Sequence, residues 1–373
     1  MIYLDNAATT RPDQDAVREA LSLLNEEFYN PSALYKEGFS AHKRLEEARK
    51  SILSHVADVQ KYSLVFTSCG SEADNQAIFS FARRGNFVTT EGEHAAVYQA
   101  AQELSRRGVE VRFARLDRFG RADEADLLRL VDENTSLVSA IHVNNETGAI
   151  NDIASLAKKV KAKNPRTVFH SDGVQAFGKL PFRMTDGIDL YSVSAHKIGG
   201  VRGAGALIYA KNRKLSPVIF GGGQEGGYRS GTENTFAAVQ FSLAAEKKFK
   251  NIEPDMQKAR RCNALFRETL HKNIFSVLSA EDASPYILCI SAKGLRGEVL
   301  LHMINDRGVI VGTGSACSSR NRFSRVILAC GADEKTADGI LRISFSAETT
   351  EGECAEAARI INECADTLAE KTK

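Results

Sequence analysis

Through the first two thirds of this chain, short apolar, β-branched runs alternate with amphipathic helical stretches, and no other feature constrains its fold as much. The candidate strands are Leu64–Thr67, Phe87–Thr90, Val109–Phe113, Leu137–His142, Thr167–His170, Leu190–Ser194 and Ala206–Tyr209. Between them, Ala41–Val56 puts Leu45, Ala48, Ile52 and Val56 on one helical face, and Ile153–Lys163 reads as a second helix. Strand and helix in alternation predict an α/β architecture: a mostly parallel, seven-stranded sheet covered on both faces. From about Ala237 the pattern changes. A long helical region runs past Arg267, strands follow at Tyr286–Ser291 and Ile340–Phe345, and Thr350 with Glu353 opens a terminal helix at capping-box spacing. This reads as a smaller α+β domain of residues 250–373, joined by residues 1–15, beside a large domain of residues 16–249. The glycine cluster Gly221–Gly227 reads as a flexible loop between the two regions.

A chain of 373 residues can bury a large core and a second, smaller one. Lys and Arg total 49 against 47 Asp and Glu, so the charge gives no reason to expect nucleic-acid or membrane-surface binding. No apolar run is long enough to span a bilayer, and the opening MIYLDNAATT lacks the basic and apolar regions of a signal peptide. The seven cysteines are odd in number and none is spaced C-x-x-C. Neither a disulfide framework nor a metal site is expected, and a reducing cytoplasm fits best.

Several segments could carry chemistry. Ser68-Cys69-Gly70-Ser71-Glu72 follows a strand and opens a helix. Such a turn is either an anion site, with backbone N–H groups and a helix dipole facing the ligand, or a plain helix cap. Asp172 lies just past a strand end, where it could cap a helix or hold the positive charge of a bound heterocycle. The nearby Gly173…Gly178-Lys179 matches a nucleotide phosphate loop in part only. Leu180 and Pro181 stand where the magnesium-binding hydroxyl and the helix should be. At the end of the next strand, Ser194, His196 and Lys197 fall together. A lysine there is costly to bury unless it is neutralised or used covalently, as in a Schiff base. Cys317 sits among small and polar residues with Arg320 and Arg322 close by, which favour a thiolate. Arg342, flanked by apolar residues on a strand, calls for a carboxylate from protein or substrate.

Taken in order, these pieces resemble the fold-type I pyridoxal-phosphate enzymes of the class V aminotransferase group, specifically the cysteine desulfurases. The resemblance runs nearly end to end. It includes Tyr3-Leu-Asp-Asn-Ala-Ala-Thr-Thr10, Asn30-Pro31-Ser32, Thr67–Asn75, Glu93-His94 and His142–Gly148. Ser194–Lys197, Arg229-Ser-Gly-Thr232, Gly314-Ser-Ala-Cys317 and Arg342 complete it. The resemblance implies pyridoxal 5'-phosphate held as a Schiff base on Lys197, with its phosphate on Gly70, Ser71, Ser194 and His196. It implies Asp172 at the pyridine nitrogen, Gln175 at the phenolic oxygen and His94 stacked on the ring. Asn145 and Arg342 would bind the carboxylate of L-cysteine, and Cys317 would accept the sulfur and pass it to an iron–sulfur scaffold or a tRNA-thiolation protein. Thr232 would reach the phosphate of a second subunit, which implies a homodimer. A selenocysteine lyase or another lyase of the same group needs much the same parts. The sequence departs from the family at Cys69-Gly70-Ser71, at Gly199-Gly200-Val201-Arg202-Gly203, and in the basic stretch after Cys317.

Overall fold

The structure is a computed structural model. It describes residues 1–314 and 323–372. The strands are β1 (Ile2–Tyr3), β2 (Tyr62–Thr67), β3 (Asn86–Thr90), β4 (Glu110–Ala114), β5 (Thr135–Ser139), β6 (Val168–Asp172), β7 (Leu190–Ser194), β8 (Gly205–Ala210), β9 (Phe275–Val277), β10 (Ile287–Ala292), β11 (Val309–Ile310) and β12 (Ile340–Ser344). Seven of them form one sheet in the order β2-β8-β7-β6-β5-β3-β4. All its pairs are parallel except those of β8, which runs against both β2 and β7. Each of the seven candidate strands is therefore present, with ends moved by a few residues.

The reversal at β8 matters for the site. Ser194 at the end of β7 pairs with Gly205 at the start of β8, so the intervening segment, which carries Lys197, is a turn at the carboxyl edge of the sheet. The two central strands, β6 and β7, are buried along their whole length. Several of their polar side chains are satisfied internally: Ser171 Oγ donates to Ala140 O at 2.7 Å, and the His170 ring lies between Ser139 Oγ at 2.8 Å and Ser192 Oγ at 3.0 Å.

Helix Lys36–Val56 buries Leu45, Ala48, Ile52 and Val56 as the periodicity requires, and Ile153–Lys163 is capped by Asp152. The long helical region is divided into Thr235–Lys250 and Ile252–Thr269. Pro254 has no N–H to offer the Lys250 carbonyl, so a continuous helix would break there. The capping box forms as the spacing predicts: Thr350 N donates to Glu353 Oε2 at 2.9 Å and Glu353 N to Thr350 Oγ1 at 3.2 Å.

In the C-terminal part, β12-β10-β9 form a separate antiparallel sheet. The start of the chain joins it: β1 pairs with β11, and Leu4 belongs to its hydrophobic core. The glycine cluster is not the loose linker its composition suggests. Glu225, in a left-handed conformation at φ 51, is buried and forms two hydrogen bonds with Arg49, at 2.7 and 2.8 Å, and accepts another from Phe66 N at 2.8 Å. No helix among the described residues is long and apolar enough to cross a membrane.

Candidate active site

A cavity of about 330 Å³ opens at the carboxyl edge of the large sheet. Gly70, Ser71, His94, Asn145, Asp172, Gln175, Ser194, His196, Lys197 and Arg342 all line it. Thr232 does not; it is exposed and lines a separate cavity with Arg229 and Glu225. Cys317 lies outside the described residues.

Lys197 ends a short 3-10 turn, and its Nζ donates to Ala7 O at 2.6 Å and Ala8 O at 2.7 Å. The same N-terminal segment braces the turn from below: Thr10 Oγ1 donates to His196 O at 3.0 Å and accepts from Gly199 N at 2.8 Å. Gln240 ties down the far side, donating to Gly199 O and accepting from Val201 N. The divergent glycine-rich stretch after Lys197 is therefore held at several points.

Asp172 ends β6, and its Oδ1 accepts from Val174 N at 2.9 Å. Burial pushes its pKa up, while His94 and Lys197 work in the other direction. The next residue must be glycine: a Cβ on Gly173 would lie 1.9 Å from Cζ of Tyr191. His94 caps helix Ala95–Arg106 by accepting Ala96 N at its Nδ1, at 3.2 Å. That assigns the ring proton of the neutral form to Nε2, and burial, the largest influence, lowers the ring's pKa. His196 is likewise pushed down to about 4 by burial and by Lys197.

Arg342 donates to Asn145 O at 2.9 Å and to Asp5 Oδ1 at 2.8 Å, so the carboxylate its sequence setting demands is supplied first by the protein. Its Nε is buried with no hydrogen-bond partner among the described residues.

Other cavity residues were not singled out by sequence. Glu93 accepts from Thr90 Oγ1 at 2.6 Å and Ile141 N at 3.0 Å, and burial raises its pKa to about 8. Glu146 is raised to about 7 by burial. Arg325 stacks on Tyr98, 3.7 Å from the ring centroid, and donates to the carbonyl of Glu93 at 2.6 Å. Asp74 is fully buried beside Asp172, and its carboxyl is raised well above the usual range, by burial first and by the Asp172 charge second. Asp74, His94 and Asp172 bring possible metal-ligand atoms within 4.8 Å of one another. Lys197 and Arg342 share the cavity, and two cationic side chains disfavour a metal ion there. Glu93 stands beside His94, Asp74 lies within Thr67–Asn75 and Glu146 within His142–Gly148, so all three could have been noticed; Arg325 carries no sequence signal apart from the fold.

The cavity also holds features that suit a phosphorylated, cationic heterocycle. Cys69, the N-cap of helix Gly70–Phe81, makes no side-chain hydrogen bond to the first turn, so an anion can take that place. Ser194 Oγ, whose Cβ would lie 3.5 Å from a Cβ on Gly70, is buried with no partner in the described structure. A Cβ on Gly70 would lie 2.7 Å from Val174 Cγ2, so the cradle admits only glycine without rearrangement.

Fold and site together define a class. The model of the class-V aminotransferase family matches residues 2–356, and this chain belongs to that family. A cysteine desulfurase of Nostoc sp. is 33% identical over 377 residues, spanning 99% of this chain and 94% of that protein. The solved structure of a NifS-like protein superposes with a TM-score of 0.92 at 30% identity, covering 98% of this chain and 100% of the other. SspA in complex with cysteine superposes with a TM-score of 0.81 at 29% identity, covering 93% of this chain and 99% of that one.

Proposed function

We propose that this chain is a pyridoxal-phosphate-dependent cysteine desulfurase, converting L-cysteine to L-alanine with the sulfur retained as a persulfide on Cys317. The observation that carries the reading is the convergence of Lys197, Asp172, His94, Gln175 and Arg342 on one cavity.

Lys197 would anchor the cofactor covalently. Gly70, Ser71, Ser194 and His196 would hold its phosphate, Asp172 its ring nitrogen, Gln175 its phenolic oxygen, and His94 one face of the ring. Bound pyridoxal phosphate supplies an electron sink for the bond broken at the substrate Cα. Asp172 supports that role, because a buried carboxylate is stabilised by a cationic ring nitrogen. The Lys197 amine, once displaced by substrate, carries the Cα proton. Arg342 and Asn145 orient the substrate carboxylate, with the free Nε of Arg342 as a donor still available. The Cys317 thiolate attacks the substrate sulfur, the bond from sulfur to Cβ breaks, and the Cβ takes a proton on the way to alanine. The acceptor that collects the sulfur is an iron–sulfur scaffold or a tRNA-thiolation protein. Thr232 is exposed and does not line its own Lys197 cavity, which supports a homodimer with shared sites. Pairing of β1 with β11 supports grouping residues 1–15 with 250–373, apart from residues 16–249. A reducing, cytoplasmic setting goes with this reading, as the odd cysteine count without C-x-x-C spacing suggests.

The test is chemical. The purified protein is expected to be yellow, borohydride to fix the cofactor to Lys197, and L-cysteine to yield alanine. Cys317→Ser should still bind the cofactor and change its spectrum with cysteine, yet release no alanine. Labelling of a different lysine would sink the site assignment, and normal turnover by Cys317→Ser would sink the persulfide route.

A further inference from the structure

Lys179 lies in the turn beyond Asp172, in the partial phosphate-loop pattern that the sequence gives no use for. It is 7% exposed. Its Nζ donates to Gln175 Oε1 at 2.8 Å. Burial holds its amine pKa well below the usual range, and the cations Lys197, Lys248 and Arg342 add to it. Lys248 is itself paired with Asp255 at 3.4 Å. Tyr286 and Glu348 line the second cavity that Lys179 shares with Lys197. A lysine buried among cations costs stability, so it is not there as an ion-pair partner.

Gln175 connects it to the site. Gln175 Nε2 donates to Ala7 O at 2.8 Å, and Lys197 Nζ donates to the same carbonyl at 2.6 Å. With Oε1 held by Lys179 and one amide hydrogen on Ala7 O, the second amide hydrogen of Gln175 is left for the cavity that Gln175 lines. Without Lys179, Oε1 would be a buried acceptor lacking a donor, and the amide would turn or draw in water to find one.

We propose that Lys179 is a positioning residue, which locks the Gln175 amide so that its second N–H donates to an anionic oxygen of the bound cofactor. This rests on the cofactor reading given above. A donor aimed at that oxygen stabilises its charge and lets the adjoining nitrogen lose its proton at lower pH. Losing the lock raises the midpoint.

The measurement is a pH titration of the visible band of the cofactor-loaded protein. Lys179→Met should keep the cofactor and move the midpoint up by about half a unit or more. Gln175→Leu should move it the same way, and the double variant no further than Gln175→Leu alone. Lys179→Gln, which retains a donor for Oε1, should stay near the parent. Lys179→Ala replaces Lys179→Met if that variant does not fold. An unmoved midpoint in the Lys179 variants beside a shifted one in Gln175→Leu overturns the proposal alone, as do additive shifts in the double variant. An unmoved midpoint in Gln175→Leu overturns the placement of the cofactor beside Gln175, and the role of Lys179 with it.

Discussion

Arg342 Nη2 donates to Asp5 Oδ1 at 2.8 Å, joining residues 337 positions apart in the chain. The arginine expected to recognise substrate is thus already oriented by a carboxylate of the protein, with one N–H of Nη2 on Asp5 and one of Nη1 on Asn145 O. On the proposed reading, Asp5 would serve recognition by fixing the plane of the guanidinium. Arg342→Lys should raise the apparent KM for cysteine by about tenfold or more, since an ammonium cannot copy the fork. Asp5→Asn should raise it less, with cofactor content unchanged in both. Steady-state kinetics would show this, and an unchanged KM in Arg342→Lys would reduce the arginine to a structural ion pair.

The exposed position of Thr232, away from the Lys197 cavity, leads to a complementation experiment. If the sites are shared in a dimer, as proposed, a mixed dimer of Lys197→Ala and Thr232→Ala chains has one site with both residues intact. Activity should reappear when the two impaired variants are refolded together. Confirmed mixed dimers that stay inactive would argue against a shared site.

Gly173 sits against the ring of Tyr191. Gly173→Ala forces that ring or the backbone carrying Asp172 to move, at a cost of about 1–3 kcal/mol. Both thermal stability and cofactor affinity should fall. Thermal melts and cofactor titration measure the two, and a variant with parental values in both would mean the contact is relieved at no cost.

Glu93 gives a pH signature. Its folded pKa of about 8 lies above the ordinary 4.5, so the folded state holds a proton that the unfolded chain has released. The stability it contributes is full below the unfolded value and is lost as pH rises toward about 8. Glu93→Gln keeps an acceptor for Thr90 and Ile141 and removes the titration. Melting temperatures of the cofactor-free proteins, followed over that window, should decline less in Glu93→Gln than in the parent. Parallel curves would show that Glu93 is not protonated in the fold.

What could be read in the sequence was local or sequential in origin. The helix Ile153–Lys163, the capping box at Thr350 and Glu353, and the strands of the large sheet depend on periodicity and on neighbours a few residues away, and those signals lie along the chain. The single break that periodicity missed, at Asn251, has a local cause in Pro254, which could have been weighed. The glycine-rich run was misjudged because composition speaks of backbone freedom and not of Glu225, whose partner Arg49 lies 176 positions away.

By itself the sequence determined the alternating α/β frame and the order of the motifs that carry Lys197, Asp172 and His94, and its resemblance supplied Cys317 as the proposed sulfur-accepting thiol. Tertiary structure decided which of those groups meet, and how they are charged when they do. Asp5 beside Arg342, Lys179 behind Gln175, the Ala7 carbonyl under Lys197, and the raised carboxyls of Asp74 and Glu93 all arise where the N-terminal segment and the sheet edge close around one cavity. Burial and proximity set those interactions, and both are properties of the folded chain: no spacing along the sequence encodes a desolvation or a distance between residues hundreds of positions apart.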